Sequence, residues 1–304
     1  MPGGLVALLD DVAALARLAA ASADDIAAAA GRAGTKTIGV VIDDAAVTPG
    51  YVVGLSPQRE LPIIFKIAVG SLRNKLIFIL PAALLLSAFA AWALTPILML
   101  GGLYLSFEGA EKIMKSLKGA SAIKEVAQIQ DPAELEERQV SSAIRTDFIL
   151  SAEIMVITLN ELTGSTIGEQ AGALAVVGVA VTVGVYGLVA LIVKMDDGGL
   201  RMVQAGGTAA GLGRALVRSM PVLLKLLALV GTGAMLWVGG GILVHGLAEF
   251  GVVQPEETIH HAAVAIKGGA IVEWLVTAIS SGIIGLVAGS IVAGILHLKP
   301  GAEH

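Results

Sequence analysis

Residues 145–162 read Arg145-Thr-Asp147-Phe-Ile-Leu-Ser151-Ala-Glu153-Ile-Met-Val-Ile-Thr158-Leu-Asn160-Glu161-Leu162. This segment is aliphatic enough for a membrane-spanning helix, yet it carries acids, hydroxyls and an amide. An ionisable side chain at the centre of a bilayer costs roughly 2.5–3.5 kcal/mol on insertion scales, so it normally faces a protein interior or a water-filled cavity. The segment therefore predicts a helix inside a membrane bundle, with a polar site along its length.

Two polar faces are predicted on this helix. Asp147, Ser151 and Thr158 follow helical spacing and form one stripe. Glu153 lies roughly 130° from that stripe at about 100° per residue, on a face that it shares with Thr146 and Asn160. At about 1.5 Å per residue, Glu153 is also some 9 Å further along the helix than Asp147. We therefore take Glu153 as the central candidate for a cation or proton pathway. The alternative is a packed bundle whose polar residues pair from helix to helix.

The composition places the chain among integral membrane proteins. It is 56% hydrophobic and 15% charged, with a mean hydropathy of +0.84, whereas soluble domains average roughly 25% charged residues. The apolar segments lack the alternation of transmembrane strands, so the predicted fold class is all-α. The absence of Cys excludes disulfides and thiolate chemistry, and a net charge of -5 excludes the basic face of a nucleic-acid-binding domain.

The predicted architecture is a polytopic helical bundle with two regions. Residues 1–75 are predicted to form cytoplasmic or interfacial helices, with a re-entrant element as one option, and residues 76–298 to form the bundle. Apolar segments predict six spans, with Thr95-Pro96 as the turn between the first two. The spans are at about 76–94, 97–111, 147–163, 171–193, 222–245 and 270–298.

The distribution of Lys and Arg predicts the orientation. Cytoplasmic connections accumulate positive charge, and here the cations concentrate before residue 76, in the loop 112–145 and in the polar connection 194–218. These segments and both termini are therefore predicted to be cytoplasmic.

The sequence leaves two structural questions open. The first is whether residues 220–249 form one helix or a hairpin. The second is whether an internal repeat or chance explains a recurring motif, Val40-Val-Ile-Asp43-Asp44 and Ile192-Val-Lys-Met-Asp196-Asp197.

Acidic side chains in or beside apolar segments are the candidate site residues. They are Asp10, Asp11, Asp43, Asp44, Glu108, Glu111, Asp147 and Glu153, with Ser151 and Asn160 beside them, and the candidate charge partners are Lys36, Asn74, Lys75, Lys112 and Arg145. Carboxylate oxygens without Cys suit hard cations such as Mg²⁺, Ca²⁺ and Mn²⁺, and the same carboxylates could relay protons. The competing interpretation is a set of buried ion pairs that holds the amino-terminal helices to the bundle.

The sequence contains no motif that specifies an enzyme. A nucleophile elbow, a phosphate loop, a zincin pair and a dinucleotide fingerprint are all missing from their required contexts, so we expect no enzymatic activity and no cofactor. The predicted function is a transporter or permease for a small cation, or a proton-coupled one. The alternative is a non-transporting scaffold or lipid-associated protein. The predicted partners are membrane lipids, a small cation or proton, and a second copy of the chain in a homo-oligomer.

Nearly the whole chain resembles a bacterial membrane-protein family. The segments that carry the resemblance are Leu8-Leu-Asp10-Asp11, Lys36-Thr-Ile-Gly-Val-Val-Ile-Asp43-Asp44, Gly70-Ser-Leu-Arg-Asn74-Lys75, Leu100-Gly-Gly-Leu-Tyr104 through Glu108-Gly-Ala-Glu111-Lys112, and Ile144-Arg145-Thr-Asp147-Phe-Ile-Leu-Ser151-Ala-Glu153. The chain resembles the YedI-like inner-membrane proteins, a domain of unknown function. This resemblance implies a bacterial inner-membrane location and a polytopic fold, and it implies no activity.

Overall fold

The structure is a computed structural model that describes residues 23–32, 34, 47, 57–117, 132–206, 209–266 and 268–297. Within these ranges every regular element is helical, which confirms the predicted fold class. Residues 23–32 form α1. The other helices are α2 (Pro57–Arg73), α3 (Leu80–Phe89), α4 (Leu94–Leu117), α5 (Pro132–Asn160), α6 (Ile167–Ala205), α7 (Ala209–Glu249), α8 (Gln254–Ala265) and α9 (Ala270–His297), and a π-helical segment (Asn74–Ile79) joins α2 to α3.

Four helical stretches in the described part of the chain are long and apolar enough to cross a membrane. They are Ala91–Leu117, Ile167–Ala205, Lys225–Glu249 and Ala270–Leu296. They correspond to the predicted spans at 97–111, 171–193, 222–245 and 270–298 and indicate a membrane protein. The spans at 76–94 and 147–163 stay predictions. The span predicted at 76–94 includes a break in the helix at Ala90, where φ is -152° and ψ is 53°. The chain therefore turns before Thr95 and Pro96, which lie in the first turn of α4 and not in the connection.

The polar connection predicted at 194–218 is largely helical. α6 continues to Ala205 and α7 begins at Ala209, so the loop prediction is wrong for most of this stretch. The two helices pack closely here, because a Cβ on Gly199 would lie 3.0 Å from the carbonyl oxygen of Gly213.

Residues 220–249 belong to the single helix α7, so they form one helix and not a hairpin. With 39 and 41 residues, α6 and α7 are each about 60 Å long, roughly twice a 30 Å hydrocarbon core.

Glycines bring α4, α7 and α9 into backbone contact. A Cβ on Gly102 of α4 would lie 2.9 Å from the carbonyl oxygen of Gly239 on α7. A Cβ on Gly240 would overlap the carbonyl oxygen of Ser281 on α9, and one on Gly289 would overlap the carbonyl oxygen of Ser106 on α4. Small residues let membrane helices approach closely, and the resulting van der Waals packing holds them together in lipid.

The outer face of α9 is a continuous apolar stripe. Its members recur every four residues and are each at least 43% exposed: Ile271, Leu275, Ile279, Ile283, Val287, Ile291 and Ile295. At about 100° per residue, each four-residue step moves a side chain about 40° round the helix, so the stripe winds along the exposed side of α9. Gly285 and Gly289 instead face the bundle, where a Cβ would meet the backbone of α7 and α4. This division is expected for a helix in contact with lipid.

An ion cluster aligns α2 with α5. Glu136, near the start of α5, accepts hydrogen bonds from Arg59 and Lys66 of α2. At about 3.6 residues per turn, Asp147 lies about three turns beyond Glu136, and Lys75 lies about two and a half turns beyond Lys66. Because Lys75 also contacts Asp147, the two contacts follow in the same order along both helices, which therefore run parallel.

Candidate functional site

A buried ion pair lies between the π-helical segment and α5. The Nζ atom of Lys75 is 3.1 Å from Oδ1 of Asp147, and the two side chains are 1% and 3% exposed. Taking two charges out of water costs several kcal/mol per ion, and the attraction offsets that cost only when further hydrogen bonds satisfy both groups. Lys75 was one of several predicted charge partners, and the structure identifies Asp147 as its acid.

Three hydroxyl groups complete the shell around Asp147. Tyr186 of α6 donates to Oδ1 at 2.9 Å, Ser71 of α2 donates to Oδ1 at 3.0 Å, and Ser151 of α5 donates to Oδ2 at 3.1 Å. The Lys75 ammonium also donates to Ser71 Oγ at 2.6 Å. Hydrogen bonds with an ionised partner are roughly twice as strong as neutral ones. We call these five residues the Asp147 network.

Local features of the chain make room for Lys75. Lys75 lies in the π-helical segment Asn74–Ile79, and such wide turns occur mostly as short interruptions of α-helices, frequently at functional sites. Gly178 of α6 faces its stem, because a Cβ there would lie 3.7 Å from Lys75 Cβ and 2.7 Å from Met155 Cε. A larger residue at 178 would therefore crowd both Met155 and the lysine stem.

Glu108 forms a second polar contact on the opposite side of α5. It pairs with Lys112, one of the predicted candidate charge partners, at 3.1 Å and one helical turn away. It also accepts hydrogen bonds from Thr146 at 3.2 Å and from Ser142 at 3.4 Å. Thr146, which donates to Glu108, and Asp147 are neighbours in α5. They lie on different faces of the helix, about 100° apart. The helix is thus polar and buried on two sides, as its sequence pattern predicts.

A cavity of about 430 Å³ opens beside the Asp147 network. Its polar lining comes from Asn74, Tyr104, Ser141 and Arg145, and apolar side chains of α5 supply the rest of the wall. The Arg145 guanidinium donates to the Tyr104 hydroxyl at 3.3 Å. Asn74 is the chain neighbour of Lys75, but neither Lys75 nor Asp147 is among the lining residues. Asn74 and Arg145 therefore belong to the cavity and not to the ion pair.

Glu153, the central candidate from the sequence, lies in α5 six residues beyond Asp147. It is half-buried, whereas Asp147, Ser151 and Thr158 of the neighbouring stripe are all buried. Asn160, predicted on the same face as Glu153, is exposed at the end of α5. The polar contacts described above converge on Asp147, because groups from α2 and α6 reach its carboxylate; the role of Glu153 in a cation or proton pathway stays a prediction.

The other predicted site residues fall into two groups. Glu111 forms a partly exposed pair with Lys115 at 3.4 Å, away from the buried contacts. Asp10, Asp11, Lys36, Asp43 and Asp44 lie outside the residues that the structure describes. In the described ranges, no group of three or more His, Asp or Glu side chains could hold a metal ion.

The Glu136 cluster lies at the end of the bundle near the start of α5. The hydrogen bond from Lys66, and then that from Arg59, hold the pKa of Glu136 below its ordinary value of 4.5. Both cations are more than half exposed while Glu136 is 7% exposed. This cluster aligns two helices and is separate from the Asp147 network.

Sequence reasoning missed two members of the network, Ser71 and Tyr186. Ser71 precedes Lys75 by one helical turn, a spacing at which side chains on a helix are neighbours. Tyr186 is the single aromatic residue in the Gly-, Ala- and Val-rich stretch 171–193. A lone Tyr in such a stretch was a usable signal, because a buried Tyr hydroxyl usually finds a hydrogen-bond partner.

Comparison with known proteins identifies a family without an activity. The search of curated proteins and the search of solved structures each found no match. The narrower resemblance to YedI-like proteins stays a prediction. Residues 3–295 match the family described as "Protein of unknown function (DUF808)". This match spans nearly the whole chain, which therefore belongs to the DUF808 family.

Proposed function

We propose that the protein transports a small cation across a membrane, coupled to protons, and that Asp147 is the residue that binds the cation. The observation that carries this proposal is the Asp147 network: a carboxylate that is 3% exposed and surrounded by donors from α2, the π-helical segment, α5 and α6. Among the residues that the structure describes, four helical stretches are apolar enough to cross a membrane. Ionisable residues inside such proteins mark ion pathways and proton relays by default.

The network has the chemistry of an ion site that can change state. Its charged and polar groups come from separate elements, so a small movement between α5 and α6 would separate Asp147 from the Tyr186 hydroxyl. The adjoining cavity is lined by Asn74 and Arg145, each close in the chain to a charged member of the network. These two features support exchange with solvent at this level of the bundle.

A second candidate function is that of a non-transporting scaffold. Each Asp147 oxygen accepts a hydrogen bond from within the protein, and Lys75 and Asp147 do not line the cavity. A fully paired buried ion pair can serve only to fix the arrangement of helices. The two functions differ in their prediction for ion flux and not in their prediction for folding.

Ion flux into proteoliposomes tests the proposal. We expect the wild-type protein to carry at least one ion from a panel of monovalent and divalent cations, and Asp147→Asn to abolish that flux. Asp197→Asn is the matched control. It makes the same chemical change in a partly exposed pair with Lys194 on α6, and it should leave flux close to wild type. Flux that is unchanged in Asp147→Asn, or absent for every cation in the wild type, contradicts the proposal.

A further inference from the structure

We infer that the cavity beside the Asp147 network binds one membrane phospholipid, whose phosphate group lies at Arg145. Lipid binding at this place goes beyond the proposed function and does not depend on it, because a lipid site can exist whether or not the protein carries ions. The headgroup layer of a membrane is polar, so a phosphate at the polar end of the cavity leaves water access to that end.

The polar lining of the cavity supplies the donors that a phosphate needs. Arg145, Asn74, Tyr104 and Ser141 come from three elements, α5, the π-helical segment and α4. The Arg145 guanidinium donates to the Tyr104 hydroxyl at 3.3 Å, which places it where α5 meets α4. A guanidinium presents N–H donors in a fork that matches two phosphate oxygens at once, and the amide and hydroxyl groups add further donors.

The acids next to the cavity each have a lysine beside them. Asp147 pairs with Lys75 at 3.1 Å, and Glu108 pairs with Lys112 at 3.1 Å. Together with Arg145, these five side chains carry one net positive charge. The charge around the polar end of the cavity therefore suits an anion.

Polarity changes along the exposed face of α5 as it does along a phospholipid. Ser141 and Arg145 are exposed polar residues, and Phe148 and Ile149 follow within about one turn as apolar lining of the same cavity. Phe148 is 40% exposed, so its ring is accessible to a hydrocarbon chain. The cavity thus has a polar end for a headgroup and an apolar end for an acyl chain.

The wall from α4 becomes apolar in the same direction. α4 is antiparallel to α5 here, because Ser142 donates to Glu108 at 3.4 Å whereas a Cβ on Gly101 would lie 2.8 Å from Cγ2 of Ile149. Residues 94–107 contain no charged side chain, and Leu100 is 68% exposed. α4 therefore presents apolar surface beside the apolar part of α5.

The third wall follows the same order. The π-helical segment continues α2, which runs parallel to α5, and it passes from Asn74 to Ile77 and Phe78, which are 60% and 48% exposed. Residues 76–94 contain no charged side chain. All three walls thus lead from one polar level into apolar surface, as the boundary between headgroups and hydrocarbon requires.

The two ends together favour a phospholipid over a free phosphate ion. The cavity has a volume of about 430 Å³, within the roughly 300–1,000 Å³ of ligand pockets, which are mostly apolar with a few polar groups that fix orientation. A phosphate ion would use the polar end alone, whereas a phospholipid covers both ends.

Equilibrium binding of radiolabelled dioleoylphosphatidylglycerol to the purified full chain in a non-ionic detergent tests the site. The unlabelled competitors are dioleoylglycerol, which lacks the phosphate, and inorganic phosphate, which lacks the chains. We expect saturable binding of one lipid per chain. Dioleoylglycerol should compete about tenfold more weakly than the phospholipid, because it cannot accept hydrogen bonds with a charged phosphate, and inorganic phosphate should not compete.

The variant Arg145→Gln removes the charged fork and keeps a polar side chain. We expect its Kd for dioleoylphosphatidylglycerol to rise about tenfold, with little change in competition by dioleoylglycerol relative to the phospholipid's new Kd. Arg138→Gln is the matched control. It makes the same change on the exposed face of the same helix, where Arg138 pairs with Glu134 at 2.8 Å, and it should bind the phospholipid as the wild type does.

The wild-type competition needs no variant, so it decides the matter even if Arg145→Gln does not fold. Equal competition by dioleoylglycerol means that the phosphate is not recognised, and displacement by inorganic phosphate means a site for soluble anions; either result, or the absence of saturable binding, would overturn the inference. A wild-type Kd in Arg145→Gln, or an equal loss in Arg138→Gln, would also overturn it. None of these results bears on cation flux, so the proposed function is tested separately.

Discussion

Replacing Lys75 by Met removes the ammonium from the Asp147 network and leaves a carboxylate that is 3% exposed. Removing one partner of a buried ion pair typically costs about 3–5 kcal/mol of unfolding free energy, because the other charge stays buried and uncompensated. The three hydroxyl donors remain, so we expect a loss near the lower end of that range. At roughly 2–4 °C per kcal/mol for a chain of this order of size, Tm should fall by about 10 °C.

The double variant Lys75→Met with Asp147→Asn separates charge from packing. Asn keeps an oxygen that can accept from the hydroxyls, and neither charge of the Lys75–Asp147 pair remains. Replacing a buried pair by neutral groups is often close to neutral in stability. We therefore expect the double variant to be more stable than either single variant, with a coupling free energy of several kcal/mol between the two sites.

Thermal and denaturant unfolding in detergent, followed by circular dichroism, would measure these differences. The matched control is Lys194→Met, which breaks the pair with Asp197 in α6, where both side chains are about one-third exposed. Exposed ion pairs contribute about 0–1 kcal/mol, so this control should change Tm little. If Lys75→Met were as stable as Lys194→Met, or if the double variant lost the sum of the single losses, the energetic account of the network would be wrong.

Three further predictions concern other parts of the molecule. Gly240→Leu should destabilise the bundle by forcing α7 away from the backbone of α9, whereas Gly184→Ala should be tolerated because a Cβ at 184 meets no atom within 4 Å. Thermal unfolding of the two variants should therefore give a much lower Tm for Gly240→Leu than for Gly184→Ala. The lowered pKa of Glu136 means that its contribution to stability is present above 4.5 and is lost as the pH falls through the lower folded-state value, so the stability gap between wild type and Glu136→Gln should shrink in acid. The chain has no Cys, so an impermeant thiol reagent should label Thr163→Cys from outside the cell and Ser219→Cys only from inside; the reverse pattern would invert the topology.

The sequence pattern of α5 predicted its helix and both of its polar faces. Asp147, Ser151 and Thr158 recur at helical spacing, and all three are buried. Periodicity reports which residues share a face, but it does not say which face meets the more polar neighbour. Glu153 was preferred because it is further along the apolar segment. The packing of Lys75 and Tyr186 against Asp147 comes from other helices and has no signature in α5 itself.

The ends of the long helices were harder to predict than their apolar centres. Residues 194–218 are polar and rich in Gly, which is also the composition of a loop. Tertiary packing overrides that local preference, since Gly199 and Gly213 allow α6 and α7 to continue side by side beyond the apolar segments. Hydropathy marks where a helix leaves the apolar layer and does not mark where the helix ends.

Cation flux through the Lys75→Met, Asp147→Asn double variant tests the central claim most directly, because this variant is expected to fold. The measurement uses proteoliposomes that contain equal amounts of folded wild type and double variant, loaded with a cation that the wild type carries. If the Asp147 network binds the transported ion, the stable double variant should show no flux above that of protein-free liposomes. Flux equal to that of the wild type would contradict the claim and leave the network as a purely structural contact between helices.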